Sequence, residues 1–208
     1  MGNEHFDQVA ESWDDDPEKV ARAREIALAV LANVPVRPQA RVLDYGAGTG
    51  LVTQALLPHV GPVTLADSSP GMRAVLQRKV VDGGLPADAR VWDLDLELQT
   101  APPGRFDLIV CALVMHHVRA LDTVLEGLVG MLDPGGVLCI ADLDAEDGSF
   151  HAHRHDFDGH HGFDRGELAG TLEQAGLEHV VVSDCTTVVK EGTTYPVFLA
   201  VGRRPEQD

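Results

Sequence analysis

Residues 42–50 read VLDYGAGTG, a short apolar run followed by glycines at positions 46, 48 and 50. Glycine lets a backbone approach a ligand closely, and the helix predicted after Gly50 would offer free N–H groups to an anion. The spacing is GxGxG, whereas a nicotinamide dinucleotide site has GxGxxG, and Leu51 occupies the position of the third glycine. The segment predicts a strand, a ligand-binding loop and a helix, and it favours a ligand other than a nicotinamide dinucleotide.

Two carboxylates frame this loop. Asp44 precedes the glycines by two residues, where a negative charge would repel a pyrophosphate and favours a ligand with an ammonium group. Asp67 ends the next predicted strand, 21 residues after Gly46, where an acidic side chain can accept hydrogen bonds from ribose hydroxyls. A helix cap is the alternative role for Asp67. The pair predicts a ligand that carries both a ribose and a positive charge.

Predicted strands and helices alternate along the rest of the chain. The run FDLIVCALVMHHV (residues 106–118) begins as a strand buried on both faces would, and helical apolar spacing covers residues 17–34. The last two strands, residues 179–189 and 195–204, are joined by KEGTT, which is too short for a parallel crossover. The pattern predicts an α/β fold, a doubly wound, Rossmann-like sheet of seven strands that is mostly parallel with an antiparallel C-terminal hairpin. Ligands bind such sheets at the carboxyl ends of the strands.

Composition limits the functional classes. The chain has 208 residues, 44% of them hydrophobic and 24% charged, as expected of a single globular domain over residues 1–208. Its formal charge of −17 would repel phosphate backbones and anionic lipids, so we expect neither nucleic acids nor membranes as partners. The N-terminus lacks the apolar segment of a secretory signal, and the three cysteines lack metal or disulfide spacing. These observations predict a cytoplasmic protein.

Four motifs resemble those of the class I S-adenosylmethionine-dependent methyltransferases that act on small molecules. VLDYGAGTG resembles the first motif, LADSSPGM (residues 65–72) the end of the second strand, FDLIVCALVMHHV the fourth strand, and LDPGGVLCIADL (residues 132–143) the fifth. The resemblance covers almost the whole chain. It implies S-adenosylmethionine as cofactor and in-line transfer of its methyl group to a small-molecule acceptor, a reaction that depends on positioning and exclusion of water.

The resemblance also implies which residues hold the cofactor. The glycines would wrap the methionine portion, Asp67 would hold the ribose, and Met72 would pack near the adenine, although Met72 is equally typical of core packing. Asp93 would meet the adenine amino group, with Asp95 as a rival. Leu94 would contribute a backbone N–H and Cys111 a carbonyl, and the complete implied set is Asp44, Gly46, Gly48, Thr49, Gly50, Asp67, Ser68, Met72, Asp93, Leu94 and Cys111.

The opening segment HFDQVAESWDDDP (residues 5–17) resembles the N-terminal lid of the small-molecule members. Residues 1–34 would form this helical lid over a core of residues 35–208. Phe6 and Trp13 would be its aromatic cover and would contact the substrate. Simple packing of these two side chains against the core is the alternative.

His116 and His117 follow the predicted fourth strand, at the edge where the methyl group would lie. Histidine can accept a proton near neutral pH, which matters when the acceptor atom starts protonated. The two histidines are therefore candidate catalytic residues. A cap on the following helix, or a packed loop, is the alternative for each.

The stretch HAHRHDFDGHH (residues 151–161) holds five of the ten histidines. Because it follows the predicted fifth strand, it would overhang the same pocket, with His155, His160 and His161 as candidate substrate-binding residues. A solvated loop, a substrate-shaping loop and a transition-metal site are the three interpretations. We expect no tightly bound metal, because the stretch lacks metal-ligand spacing on a helix and Mg²⁺ prefers oxygen ligands. Oxygens for such an ion would come from Asp142, Asp144, Glu146, Asp156 and Asp158.

Two other functions stay compatible with the sequence. One is a methyltransferase-fold protein that binds the cofactor without transferring methyl and acts through a partner. The other is a nicotinamide oxidoreductase. CALVMH (residues 111–116) stands where methyltransferases of exocyclic base amines carry an Asn-Pro-Pro-Tyr type motif, which disfavours such acceptors. No motif identifies the acceptor, its reacting atom or the oligomeric state.

Overall fold

A computed structural model describes residues 3–153 and 157–206. Within these residues the protein has seven strands and six α-helices. The strands are β1 (Val42–Tyr45), β2 (Val63–Asp67), β3 (Arg90–Asp93), β4 (Phe106–Ala112), β5 (Leu132–Leu143), β6 (Glu178–Lys190) and β7 (Thr193–Arg203). The helices are α1 (Asn3–Val9), α2 (Pro17–Asn33), α3 (Leu51–Leu56), α4 (Pro70–Val81), α5 (Leu121–Met131) and α6 (Arg165–Gln174). Short 3₁₀ turns cover Ala10–Asp15, Leu57–His59, Met115–His117 and Ser149–His151.

The seven strands form one sheet in the order β3-β2-β1-β4-β5-β7-β6. Strands β1 to β5 pair in parallel, and β7 runs antiparallel to both of its neighbours. The last two strands are connected only by Glu191 and Gly192, both with positive φ, so β6 and β7 form a tight hairpin. The predicted fold, a mostly parallel sheet with an antiparallel C-terminal hairpin, is confirmed.

Apolar side chains on both faces of the central strands build two core layers. In β4, Ile109 packs into the layer that contains α5 and α6, whereas Leu108 and Val110 pack into the layer that contains α2 and α3. The near-continuous apolar sequence of β4 follows from this burial on both faces. Within the described residues, none of the helices combines the length and the apolar character that crossing a membrane requires.

Helix α2 belongs to the core rather than to a separate cover. It starts at Pro17, and the Asp16 carboxylate caps it by accepting a hydrogen bond from the Glu18 N–H at 2.9 Å. Ile26 and Val30, on its inner face, are almost fully buried in the layer shared with α3. The predicted lid covered residues 1–34, but its part from Pro17 onward packs into the core as α2. The described residues before Pro17 lie outside this packed layer.

The order of the strands reverses between β1 and β4, which creates the crevice where ligands bind in open α/β sheets. Tyr45, the last residue of β1, lies in register with Cys111 of β4. Cys111 is fully buried, and burial raises the pKa of its thiol well above the usual value, so the thiol stays neutral. Because the ends of β1 and β4 lie side by side, the loops that follow these two strands meet at the same edge of the sheet.

Candidate active site

The glycine loop connects β1 to α3 and packs against the loop that follows β4. Gly46, Gly48 and Gly50 all have positive φ, of 70°, 56° and 83°. A Cβ atom on Gly46 would lie 2.3 Å from Cγ2 of Val114, which follows β4. A side chain at position 46 would thus push the two loops apart. Glycine is needed here both for the backbone conformation and for this close approach.

Asp67 ties the glycine loop to the start of α4. One carboxylate oxygen accepts a hydrogen bond from the Gly48 N–H and the other accepts from the Ser69 N–H, both at 2.8 Å. Burial raises the pKa of Asp67, although these two N–H groups act in the opposite direction. Ser68, next along the chain, is half-buried. The carboxylate lies where the sequence places a ribose acceptor.

Asp44 is a buried carboxylate under the same loop. It is 2% exposed, and the Thr53 hydroxyl donates a hydrogen bond to it at 2.6 Å. Burial raises its pKa to about 6, and the nearby charge of Asp67 adds to the effect. A cationic ligand group beside Asp44 would offset this cost of burying a negative charge.

The end of β3 and the start of α4 form the other side of the crevice. Met72 is almost fully buried and packs with Ala10 from the N-terminal segment. Asp93 is exposed and forms an ion pair with Arg73 at 2.9 Å, whereas its rival Asp95 accepts a hydrogen bond from the Glu97 N–H within its own turn. Leu94 is buried in the apolar core and Thr49 is buried in the glycine loop.

Two carboxylates dock the N-terminal segment onto this crevice. Asp7 accepts hydrogen bonds from the Ser69 hydroxyl at 2.5 Å and from the Gly71 N–H at 2.8 Å, and these bonds lower the pKa of Asp7. Asp14 accepts a hydrogen bond from the Thr49 hydroxyl at 2.5 Å and pairs with Lys79. The segment before α2 is thus held against the glycine loop and the start of α4. This docking role was not predicted for either aspartate.

The aromatic residues of the same segment contact the histidines after β4. The ring of Phe6 packs edge-on against His117, with centroids 5.3 Å apart, and against Trp13 at 6.1 Å. Trp13 also carries the Lys19 ammonium group 4.0 Å above its ring. Phe6 therefore connects the N-terminal segment with the candidate catalytic residues.

His116 and Asp142 form a buried pair. Nδ1 of His116 lies 2.6 Å from an Asp142 carboxylate oxygen, and the two residues are 2% and 0% exposed. Asp142 also accepts hydrogen bonds from the N–H groups of Met115, His116 and Leu143. Because an ionised carboxylate only accepts hydrogen bonds, Nδ1 carries the proton, and in the neutral imidazole Nε2 has the lone pair. Among the described residues, Nε2 of His116 is buried without a hydrogen-bond partner.

Other rings surround this pair. The ring centroid of His117 lies 4.1 Å from that of His116, and His151 lies 5.2 Å from both. Phe157 stacks on His151 at 3.8 Å with an interplanar angle of 7°, and Phe150 lies 6.0 Å from His116. The loop after β5 thus covers the histidines after β4 with aromatic side chains.

The predicted substrate-binding histidines separate in the structure. The His160 N–H donates a hydrogen bond to the His116 carbonyl at 2.7 Å, which brings His160 beside the pair. His161 is exposed, and its ring lies 3.4 Å from a buried carboxylate oxygen of Glu146. His155 lies outside the described residues.

Comparison with known proteins decides the family. Residues 17–182 match the family model described as a methyltransferase domain, which covers well over half of the chain. The chain is a member of this methyltransferase family. The family predicted from the glycine loop and the three other motifs is therefore confirmed.

One relative of this methyltransferase is the ubiquinone biosynthesis O-methyltransferase of Xanthomonas campestris. It is 30% identical over 140 residues, which is 66% of this chain and 58% of that protein. The chain therefore spans under two thirds of the length of the curated relative that it matches.

Two solved structures show how widely the fold is used. The N-methyltransferase NodS of Bradyrhizobium japonicum, in complex with S-adenosylhomocysteine, has a TM-score of 0.73, 22% identity and coverage of 98% of both chains. The [4+2]-cyclase SpnF has a TM-score of 0.72, 15% identity, and coverage of 88% of this chain and 81% of that one. Likeness at this level shows the fold alone, so the reaction of this methyltransferase has to be argued from its own side chains.

Proposed function

We propose that this protein transfers a methyl group from S-adenosylmethionine to a hydroxyl oxygen of a small aromatic molecule. The observation that carries the proposal is Nε2 of His116, a buried proton acceptor oriented by Asp142 beside the glycine loop. A base is needed when the nucleophile starts as a hydroxyl, and an amine that is already neutral needs none. The O-methyltransferase among the relatives supports an oxygen acceptor.

The cofactor fits the residues at the carboxyl edge. The positive-φ glycines would let the loop wrap the methionine portion, and Asp67 would accept hydrogen bonds from the ribose hydroxyls. Asp44 would balance the charge of the methionine ammonium group. Met72, Asp93 and the Leu94 backbone stay assigned to the adenine side, Ser68 and Thr49 to the loop, and the Cys111 carbonyl to the ammonium group.

The cofactor supplies a methyl group on a positively charged sulfur. An acceptor oxygen would form its bond to the methyl carbon as the carbon–sulfur bond breaks, and the electron pair of that bond would stay on sulfur, which would become neutral. The hydroxyl proton goes to Nε2 of His116. The Asp142 carboxylate stabilises the positive charge that the imidazole then carries, and it holds the ring in place.

Aromatic side chains would orient the acceptor and exclude water. Phe6 comes from the N-terminal segment, Phe150 and Phe157 come from the loop after β5, and all three lie against the histidines. Flat apolar walls around a few polar groups favour a planar small molecule. His160 and Trp13 are proposed to complete this acceptor side, with His117 at its centre.

The reaction is tested with methyl-labelled cofactor and matched acceptors. Phenols, quinols, anilines and thiophenols of the same ring skeleton are each incubated with the protein, and the position of the label is read by mass spectrometry and NMR. We expect transfer to oxygen. Transfer restricted to nitrogen or sulfur would overturn the oxygen assignment, and no transfer to any member of the panel would favour a cofactor-binding protein that acts through a partner.

The raised pKa of Asp44 predicts how cofactor binding depends on pH. Below about pH 6 the carboxyl is protonated in the free protein and no longer balances the ammonium charge. We therefore expect the affinity for S-adenosylmethionine to weaken as the pH falls through about 6. Asp44→Asn should bind weakly throughout and show no such dependence. Calorimetric titration over a pH series checks this, and the same pH dependence in Asp44→Asn would contradict the assignment.

The docked N-terminal segment predicts a lid. Deleting residues 1–14 should leave a folded sheet, because α2 and its core contacts remain, and it should weaken cofactor binding by about tenfold with a larger loss of turnover. Asp7→Asn weakens the docking onto Ser69 and Gly71 while keeping the aromatic cover, and should show a smaller loss. Equal cofactor affinity for the truncated and full chains would show that the segment is not a lid.

A further inference from the structure

Three histidine side chains lie close together at the carboxyl edge of the sheet. His116 and His117 lie on the turn after β4, and His151 ends the turn after β5. One potential ligand atom from each lies within 4.8 Å of the other two. Imidazole nitrogens bind zinc-class ions at about 2.0–2.1 Å, so small rotations of these rings would close the set on a single ion.

We propose that His116, His117 and His151 bind one divalent transition-metal ion of the zinc class and leave a fourth coordination position open. Three histidines that leave one coordination position open are a known ligand set for a zinc ion in proteins. The open position would lie among Phe6, Phe150 and Phe157, the rings that surround the cluster.

The buried pair of His116 and Asp142 supports this proposal independently. A metal-binding histidine typically donates its second ring N–H to a carboxylate, which fixes the ring and directs the lone pair to the ion. Nδ1 of His116 donates to Asp142 at 2.6 Å, and Nε2 is buried without a hydrogen-bond partner among the described residues. An ion bound to Nε2 would give this nitrogen a partner, and burying a polar atom without a partner is costly in free energy.

The kind of ion follows from the ligands. Nitrogen donors suit zinc, cobalt, nickel and iron, whereas Mg²⁺ and Ca²⁺ require oxygens. Stacking of Phe157 on His151 restricts that ring, which favours a defined coordination geometry. The formal charge of −17 also attracts divalent cations to the protein surface.

The cluster explains why the histidine-rich stretch has no metal-ligand spacing of its own. Only His151 comes from that stretch, and the other two ligands lie more than thirty residues earlier. The expectation of no tightly bound metal was based on the lack of metal-ligand spacing within that stretch. Packing of the loop after β5 against the turn after β4 creates the ligand set.

This inference goes beyond the proposed function, and the two assign different roles to the same atom, Nε2 of His116. The lone pair on Nε2 of His116 can hold a proton or an ion, so the loaded protein is expected to transfer methyl more slowly. Faster transfer by the loaded protein would assign activation of the acceptor to the ion and would contradict the role of His116 as base.

The site is tested with Co²⁺ alone, whose visible absorption reports the number and geometry of its ligands. Full-length protein is titrated after treatment with a chelator and dialysis. We expect one Co²⁺ per chain with the intense absorption of a four-coordinate ion. His117→Ala and His151→Ala should abolish this spectrum, and Asp142→Asn should weaken binding by about 10–100-fold.

His153→Ala is the matched control. It removes an exposed histidine of the same loop, bonded to Glu191, and should bind Co²⁺ as the unmodified protein does. Thermal melting verifies that each variant is folded. Equal Co²⁺ spectra for the unmodified protein and for folded His151→Ala, or no stoichiometric binding at all, would overturn the site. The spectrum needs neither cofactor nor acceptor, so it separates this inference from the proposed methyl transfer.

Discussion

Replacing His116 with glutamine should slow methyl transfer to a phenol by about 10²–10⁴-fold, the usual contribution of a positioned base. Glutamine keeps a polar side chain of similar length but cannot accept the proton. The dissociation constant for S-adenosylmethionine should stay nearly unchanged, because the residues proposed to bind it are the glycine loop and Asp67. Single-turnover kinetics at saturating cofactor, with the label counted in the product, measures the effect on the chemical step.

A phenol acidic enough to be ionised at neutral pH separates a base from a merely structural residue. Such an acceptor needs no proton acceptor, so His116→Gln should transfer methyl to it almost as fast as the unmodified protein. His153→Gln is the control for loss of a histidine from the same region. An equal loss of rate with the ionised and the neutral phenol would show that His116 only supports the fold.

Asp67→Ala should weaken binding of S-adenosylmethionine by about 1–3 kcal/mol, or roughly 5- to 150-fold. The substitution removes the proposed acceptors for the ribose hydroxyls. It also leaves the Gly48 and Ser69 N–H groups without the carboxylate that holds the loop to α4. Equilibrium dialysis with labelled cofactor measures the change for both the cofactor and its demethylated product.

Asp88→Ala is the matched control for this variant, since it removes an exposed aspartate from the loop before β3. Thermal melting shows whether the Asp67 variant is folded. An unchanged dissociation constant in a folded Asp67→Ala protein would mean that Asp67 serves only as a cap at the start of α4, the alternative that the sequence leaves open.

The fold and the glycine loop were predictable because their causes are local. The alternation of apolar runs predicts the sheet, and a turn as short as KEGTT requires an antiparallel hairpin. The positive φ of Gly46 follows from its place in a tight loop after a strand. The close approach of Gly46 to Val114 was not predictable in the same way, because 68 residues separate the two.

The pair of His116 and Asp142 depends on the register between β4 and β5. Ala112, the last residue of β4, lies opposite Ala141 in that register, so Asp142, the next residue of β5, lies beside the turn that follows β4. His116 was predicted from the sequence as a candidate base, whereas Asp142 was considered only as a source of oxygen ligands for a metal. A register is set by packing across the whole sheet, which a single sequence does not reveal.

The docking of the N-terminal segment was likewise not predictable from the sequence. Its resemblance to a lid predicted contacts through Phe6 and Trp13, whereas the hydrogen bonds that hold the segment in place are accepted by Asp7 and Asp14. Acidic residues are abundant in this chain, so nothing in the sequence distinguishes these two from solvated ones. The role of α2 in the core likewise depends on tertiary packing.

We propose that the glycine loop, with Asp44 and Asp67, holds S-adenosylmethionine at the edge where His116 lies. Calorimetric titration of one protein preparation with S-adenosylmethionine, S-adenosylhomocysteine and NADH tests this placement of the cofactor. We expect one site per chain for the first two ligands and no measurable binding of NADH. Binding of NADH without binding of S-adenosylmethionine would contradict it.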